Sequence, residues 1–116
     1  MLTESLITEL IDYAKRHGPT EMCGLLFHQG RQFHVAPNRS MDPTRTFYLD
    51  IQDYADICSA HVDPPWALFH SHPGKSAAPS AQDCTLMDAL QIAKQDLSMV
   101  IVGLAPMEIR CFKKVG

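Results

Sequence analysis

The chain has no Cys-x-x-Cys pair, no run of basic residues, no low-complexity stretch and no internal repeat. Each absence closes off a class of function. Cys23, Cys58, Cys84 and Cys111 are too scattered for a thiolate zinc site or a disulfide framework, so all are expected to be free thiols packed as small hydrophobes. The formal net charge is −3 and the lysines and arginines do not cluster, Lys113-Lys114 being a short pair at the end. Nucleic acid is therefore not an expected partner. Near the N-terminus the apolar residues are interrupted by Glu4, Glu9 and Asp12, which reads against a signal-peptide core or a membrane span and for a cytoplasmic protein without a membrane partner. What remains is ordinary globular material: 46% apolar and 20% charged residues over 116 positions, expected to fold as one domain spanning residues 1–116.

Periodicity and turn residues suggest the elements. An apolar stripe of Leu6, Ile7, Leu10, Ile11 and Ala14 predicts a helix from about Thr3 to His17, with Thr3 as cap and Gly18-Pro19 as stop. Met22 to Phe27 suits a buried strand. The turn at His28-Gln29-Gly30-Arg31 should return Gln32 to Ala36 as its hairpin partner. Asn38 to Thr44 reads as a polar loop and Thr46 to Leu49 as β-prone. Asp50 should cap a helix from Ile51 to about Ala60, and Asp63-Pro64-Pro65 breaks the chain. Trp66 to Phe69 predicts a strand that delivers His70 at its end. A loop of small residues from Gly74 to Pro79 leads to a helix capped by Ser80 and running to about Lys94. Leu97 to Leu104 and Met107 to Phe112 close the chain as strands. The mixture predicts an α/β sandwich around a central mixed sheet.

The chemistry concentrates in His70-Ser71-His72-Pro73 and Ser80-Ala81-Gln82-Asp83. Histidines at i and i+2 lie on one face of a strand. A short loop and one helical turn can return Asp83 to the same point, where the helix dipole favours its ionised form. Two imidazoles and one carboxylate are a three-ligand set for a divalent ion, expected to be zinc, with the fourth tetrahedral position left to water as in catalytic sites. Ser80 can cap the helix, hold a reacting oxygen, or do both. Hydrolysis also needs a proton shuttle, for which Glu21, at the entry to the first strand, is the candidate. His17, His28, His34 and His61 are expected in turns or on the surface. Cys84 points away from its neighbour Asp83 and is expected in the core. Trp66, Phe69, Leu97, Val100 and Val102 are expected there too.

Glu21, His70-Ser71-His72-Pro73, six residues, Ser80, two residues and Asp83 together resemble the signature of the JAMM (MPN-plus) metallopeptidases. Glu21-Met22-Cys23-Gly24-Leu25-Leu26 looks like that family's entry into its first strand. Asn38 and the Pro43 to Asp50 stretch look like its connection to the second helix. The resemblance implies a cytidine-deaminase-like three-layer fold and zinc-dependent hydrolysis of a peptide or isopeptide bond. It implies His70, His72 and Asp83 as ligands, Glu21 as general acid/base for the attacking water, and Ser80 as a hydrogen-bonding group for the tetrahedral intermediate. Within the family, the chain is similar to small prokaryotic members acting on ubiquitin-like or sulfur-carrier proteins, and to the first domain of phage tail-tip assembly proteins. The expected partner is thus a protein or peptide substrate, a carrier protein or a tail component. The alternative is a non-catalytic zinc-containing module that docks such a partner. A deaminase is disfavoured, because those sites use a Cys-x-x-Cys pair.

Overall fold

The computed structural model describes residues 2–28, 31–92 and 96–112. Helix α1 (Glu4–Arg16) begins where the Thr3 side chain accepts the Leu6 N–H at 3.1 Å. It ends just before Gly18, whose φ of +81° belongs to the left-handed region that glycine enters without strain. Strands β1 (Cys23–Phe27) and β2 (Gln32–Ala36) form the expected hairpin; Gln29 and Gly30 of its turn lie outside the described residues. Helix α2 (Ile51–Ser59) is capped by Asp50, which accepts the Gln52 N–H at 3.0 Å. Strand β3 (Ala67–His72), helix α3 (Ala81–Ile92) and strands β4 (Ser98–Leu104) and β5 (Met107–Phe112) follow. Lys94, the expected end of α3, is also outside the described residues.

The five strands form one sheet in the order β2-β1-β3-β4-β5. All pairs are antiparallel except β3 with β4, where α3 supplies the crossover that parallel neighbours require. Alternation along the strands sorts the core into two halves. Leu6, Leu10 and Ala14 of α1 pack on the face carrying Leu26, Phe69 and Val100. On the opposite face, Ile57 of α2 and Leu86 of α3 pack against Leu25, Leu68 and Ile101. The result is a three-layer α/β sandwich. Because Leu68, His70 and His72 alternate with Ala67 and Phe69, both histidines point to the α2/α3 side.

Several expectations need correction. The strand carrying the histidines does not stop at Phe69; it runs through His72 because β4 pairs with it as far as the His72–Gly103 register. Thr46–Leu49 is extended but joins no ladder. Side chains satisfy its backbone instead: Asn38 Nδ2 donates to Thr46 O at 3.0 Å, Asn38 Oδ1 accepts the Tyr48 N–H at 3.1 Å, and Gln82 Nε2 donates to Phe47 O at 3.0 Å. Cys23, Cys58 and Cys84 are free thiols, but of the four cysteines only Cys23 is buried; Cys58 is half-buried, and Cys84 and Cys111 are exposed. Cys84 lies on the outer side of α3, since Asp83 takes the inward position. Trp66 is half-buried, while Phe69, Leu97, Val100 and Val102 are in the core. His34 and His61 are half-buried and meet each other through ring nitrogens 3.3 Å apart, with His61 stacked on Phe27.

Candidate metal centre

His70, His72 and Asp83 converge at the end of β3 nearest the start of α3. His70 Nε2 is 2.8 Å from Asp83 Oδ1, His72 Nε2 is 3.2 Å from Asp83 Oδ2, and the two Nε2 atoms are 3.2 Å apart. Donors held on a tetrahedral zinc by bonds of the usual length stand about 3.3 Å from one another. The three observed separations are close to that edge. All three residues are almost wholly buried.

Local structure fixes each donor. Asp83 sits in the first turn of α3 in a reciprocal cap with Ser80: Ser80 N donates to Asp83 Oδ2 at 2.9 Å, and Asp83 N donates to Ser80 Oγ at 3.1 Å. Ser80 is therefore a cap, and it reaches the cluster through Asp83. The His72 Nδ1–H donates to the Ser76 carbonyl at 2.9 Å, which keeps the proton on Nδ1 and turns Nε2 toward the cluster. His70 is stacked on Phe47, ring centroids 4.3 Å apart. Its Nδ1 is buried without a hydrogen-bond partner among the described residues.

Glu21 completes the group. A carboxylate oxygen of Glu21 lies within 4.8 Å of ring nitrogens of both His70 and His72. Its position follows from the β1/β3 register. Cys23 pairs with His70, and one step further Ser71 N donates to Met22 O while Met22 N donates to Ser71 Oγ, both at 2.8 Å. That leaves Glu21 opposite His72. Its own backbone is held on the other side, where Glu21 N donates to Pro43 O at 2.7 Å and Asn38 Nδ2 donates to Glu21 O at 2.9 Å. Sequence reasoning missed Ser71 and Asn38. Ser71 was only the spacer between two ligands, and its role depends on a partner 49 residues away. Asn38 stands in a polar loop, and its five hydrogen bonds are visible only once the loop is folded.

The two carboxylates are driven apart electrostatically. Burial opposes ionisation of Asp83, but hydrogen bonds from His70 and His72 outweigh it and hold its carboxyl well below the usual carboxylate range. Burial raises Glu21 to about 7; His72 and Lys75 oppose the rise and Asp83 adds to it. Burial lowers His70, against the pull of Asp83, whereas the hydrogen bond to Asp83 raises His72. An anionic Asp83 beside a neutral His70 is the protonation state that binds a divalent cation, and a carboxyl titrating near neutrality is the state suited to proton transfer. The residues present thus fit a zinc ion held by His70, His72 and Asp83. Cys23, on the same face, is no competitor, because burial pushes its thiol up to about 12.

Residues 3–114 match the family described as prokaryotic homologs of the JAB domain. The chain belongs to this family. This prokaryotic JAB chain is 30% identical over 90 residues to tail tip assembly protein K of Escherichia phage N15, an alignment covering 76% of the chain and 36% of that protein. It thus spans about a third of the length of that relative. Its fold matches the solution structure of a Desulfitobacterium hafniense protein with a TM-score of 0.69 and 27% identity, over 95% of this chain and 79% of the other. A JAB1/MPN domain protein from Archaeoglobus fulgidus matches with a TM-score of 0.60 at 19% identity, over 96% and 86% of the two chains. At that identity the second likeness speaks for the JAB/MPN fold alone. Among the described residues, Glu21, His70 and His72 are the metal-competent group of three that this JAB domain contains, with Asp83 touching both histidines. No helix among them is long and apolar enough to cross a membrane.

Proposed function

We propose that the chain is a zinc-dependent peptidase or isopeptidase in which His70, His72 and Asp83 hold the ion and Glu21 moves the proton. The observation that carries this reading is geometric: His70, His72 and Asp83 converge within 2.8–3.2 Å of one another, and a carboxylate oxygen of Glu21 lies within 4.8 Å of both imidazoles. Zinc bound there would polarise the scissile carbonyl and make water acidic enough to attack near neutral pH. Glu21 takes the proton from the attacking water and returns it to the leaving amine, a transfer that needs a carboxyl titrating close to the working pH. Ser80 accepts the Asp83 N–H through Oγ, which leaves its hydroxyl proton to donate to the oxygen of the tetrahedral intermediate. An apolar groove of about 820 Å³ runs beside the site. Phe47 lines it and also stacks on His70, so the groove offers room for an apolar side chain of the substrate.

The substrate would be a protein or peptide in a phage tail assembly or a ubiquitin-like or sulfur-carrier protein, encountered in the cytoplasm. A second reading, a docking module that retains zinc without catalysis, is favoured by Tyr48 and Ile51, which are exposed at the groove. Mass-spectrometric detection of products from candidate carriers and tail proteins separates the two. Cleavage by wild-type protein that disappears in Glu21→Gln supports the hydrolase. Full zinc occupancy with tight partner binding and no cleavage supports the docking module.

A further inference from the structure

We infer that Glu108, on β5, is a positioning residue for the metal centre and sets zinc affinity through His72. The inference rests on the reading that His72 is a ligand.

The Ser76 carbonyl that orients His72 belongs to the loop between β3 and α3. This loop lies on the β4–β5 hairpin and is stitched to it on both sides of Ser76. Before it, Lys75 O accepts the Leu104 N–H and the Ala105 N–H, each at 3.1 Å. After it, the Ala77 N–H donates to Glu108 Oε1 at 3.1 Å. The contact between loop and hairpin is close: a Cβ on Gly103 would stand 2.3 Å from Ala77 N and 2.5 Å from the Ser76 carbonyl carbon. With the Glu108 side chain in place Ala77 is fully buried, and the Glu108 carboxylate is the acceptor that satisfies its N–H. The Glu108 carboxylate is in turn held by Arg110, whose Nη2 is 3.4 Å from the same oxygen.

Removing the carboxylate takes away a charge-assisted bond that ties the loop down just after Ser76, and the loop can then lift off the hairpin. Such a movement carries the adjacent Ser76 carbonyl away from His72 Nδ1 and frees the ring to rotate. Residues that orient a ligand histidine commonly change metal affinity by one to two orders of magnitude. Glu108 acts one bond further out, so the lower end of that range applies.

The test is competition against a chelator of known zinc affinity. Glu108→Ala should weaken zinc binding about tenfold, and Glu108→Gln, whose side-chain carbonyl can still accept the Ala77 N–H, should stay close to wild type. Leu10→Ala, in the core beneath α1, controls for general destabilisation and should leave zinc affinity unchanged. If Glu108→Ala does not fold, Glu108→Asp retains the charge but lacks the reach to Ala77, and should show the loss. Wild-type affinity in a folded Ala or Asp variant overturns the inference, as does an equal loss in Leu10→Ala. A second arm needs no metal: ¹⁵N shifts of His72 should show Nδ1 protonated in wild-type protein and only partly protonated in Glu108→Ala. If the wild-type protein takes up no zinc, the metal reading itself fails. The positioning role is then decided by the imidazole shifts, and identical spectra overturn it.

Discussion

Replacing Glu21 by glutamine separates the chemistry of its carboxyl from its shape. Glu21 is 2% exposed, and burial raises it from the ordinary carboxylate value of 4.5 to about 7. In the metal-free protein the folded state therefore binds this proton more tightly than the unfolded chain does. The corresponding stability is present below the unfolded value, declines as pH rises from about 4.5, and is lost above about 7. At 1.36 kcal/mol per pH unit, the difference amounts to about 3 kcal/mol. Glutamine has nearly the same volume and does not ionise, so Glu21→Gln should escape this loss. Urea unfolding of the two metal-free proteins at pH 5 and pH 8 gives the test, because the other titrating groups largely cancel in the difference. The variant should gain on wild type by up to about 3 kcal/mol between the two pH values. In the zinc-loaded protein the same substitution should leave metal content intact and slow hydrolysis by about a hundredfold or more. A pH-independent difference in stability, or unchanged turnover, would refute the role given to this carboxyl.

Other residues give narrower tests. Ser71→Ala removes the acceptor of the buried Met22 N–H and should cost about 1–3 kcal/mol by denaturant titration. It should also reduce turnover more than zinc content, with Ser71→Thr restoring both. Gly24→Ala places a Cβ 2.2 Å from His34 O and 2.6 Å from the Phe69 ring, so the β1–β2 and β1–β3 seams must shift; a melting curve should show a loss of about 1–3 kcal/mol. Asp83→Asn keeps an oxygen for the Ser80 cap but removes the charge that both histidines face. The variant should fold and fail to retain zinc through gel filtration.

Much of this was legible in the sequence, and the parts that were not share a physical cause. The helix caps Thr3 and Asp50 act on the next two or three residues, so local spacing exposes them. The convergence of His70, His72 and Asp83, the proposed ligands, is also local, since it needs only a strand, a short loop and the first turn of a helix. Ser71, Asn38 and Glu108 are different. Each bonds to a distant segment, and nothing in the neighbouring residues says which one. Thr46–Leu49 shows the same limit from the other side. Its β-propensity yields extended backbone, but whether an extended segment finds a strand or the side chains of Asn38 and Gln82 is decided by tertiary structure. Cys84 does point away from Asp83, as the helix period requires, but Asp83 occupies the inward side of α3, so that direction leads to solvent and not to the core.

Zinc stoichiometry after equilibrium dialysis is the most direct measurement of the central claim. Wild type and Glu21→Gln should each retain one ion per chain, and His70→Ala, His72→Ala and Asp83→Asn should retain close to none. A folded wild-type chain that takes up no zinc, or ligand variants that bind it as tightly as wild type, would contradict the account.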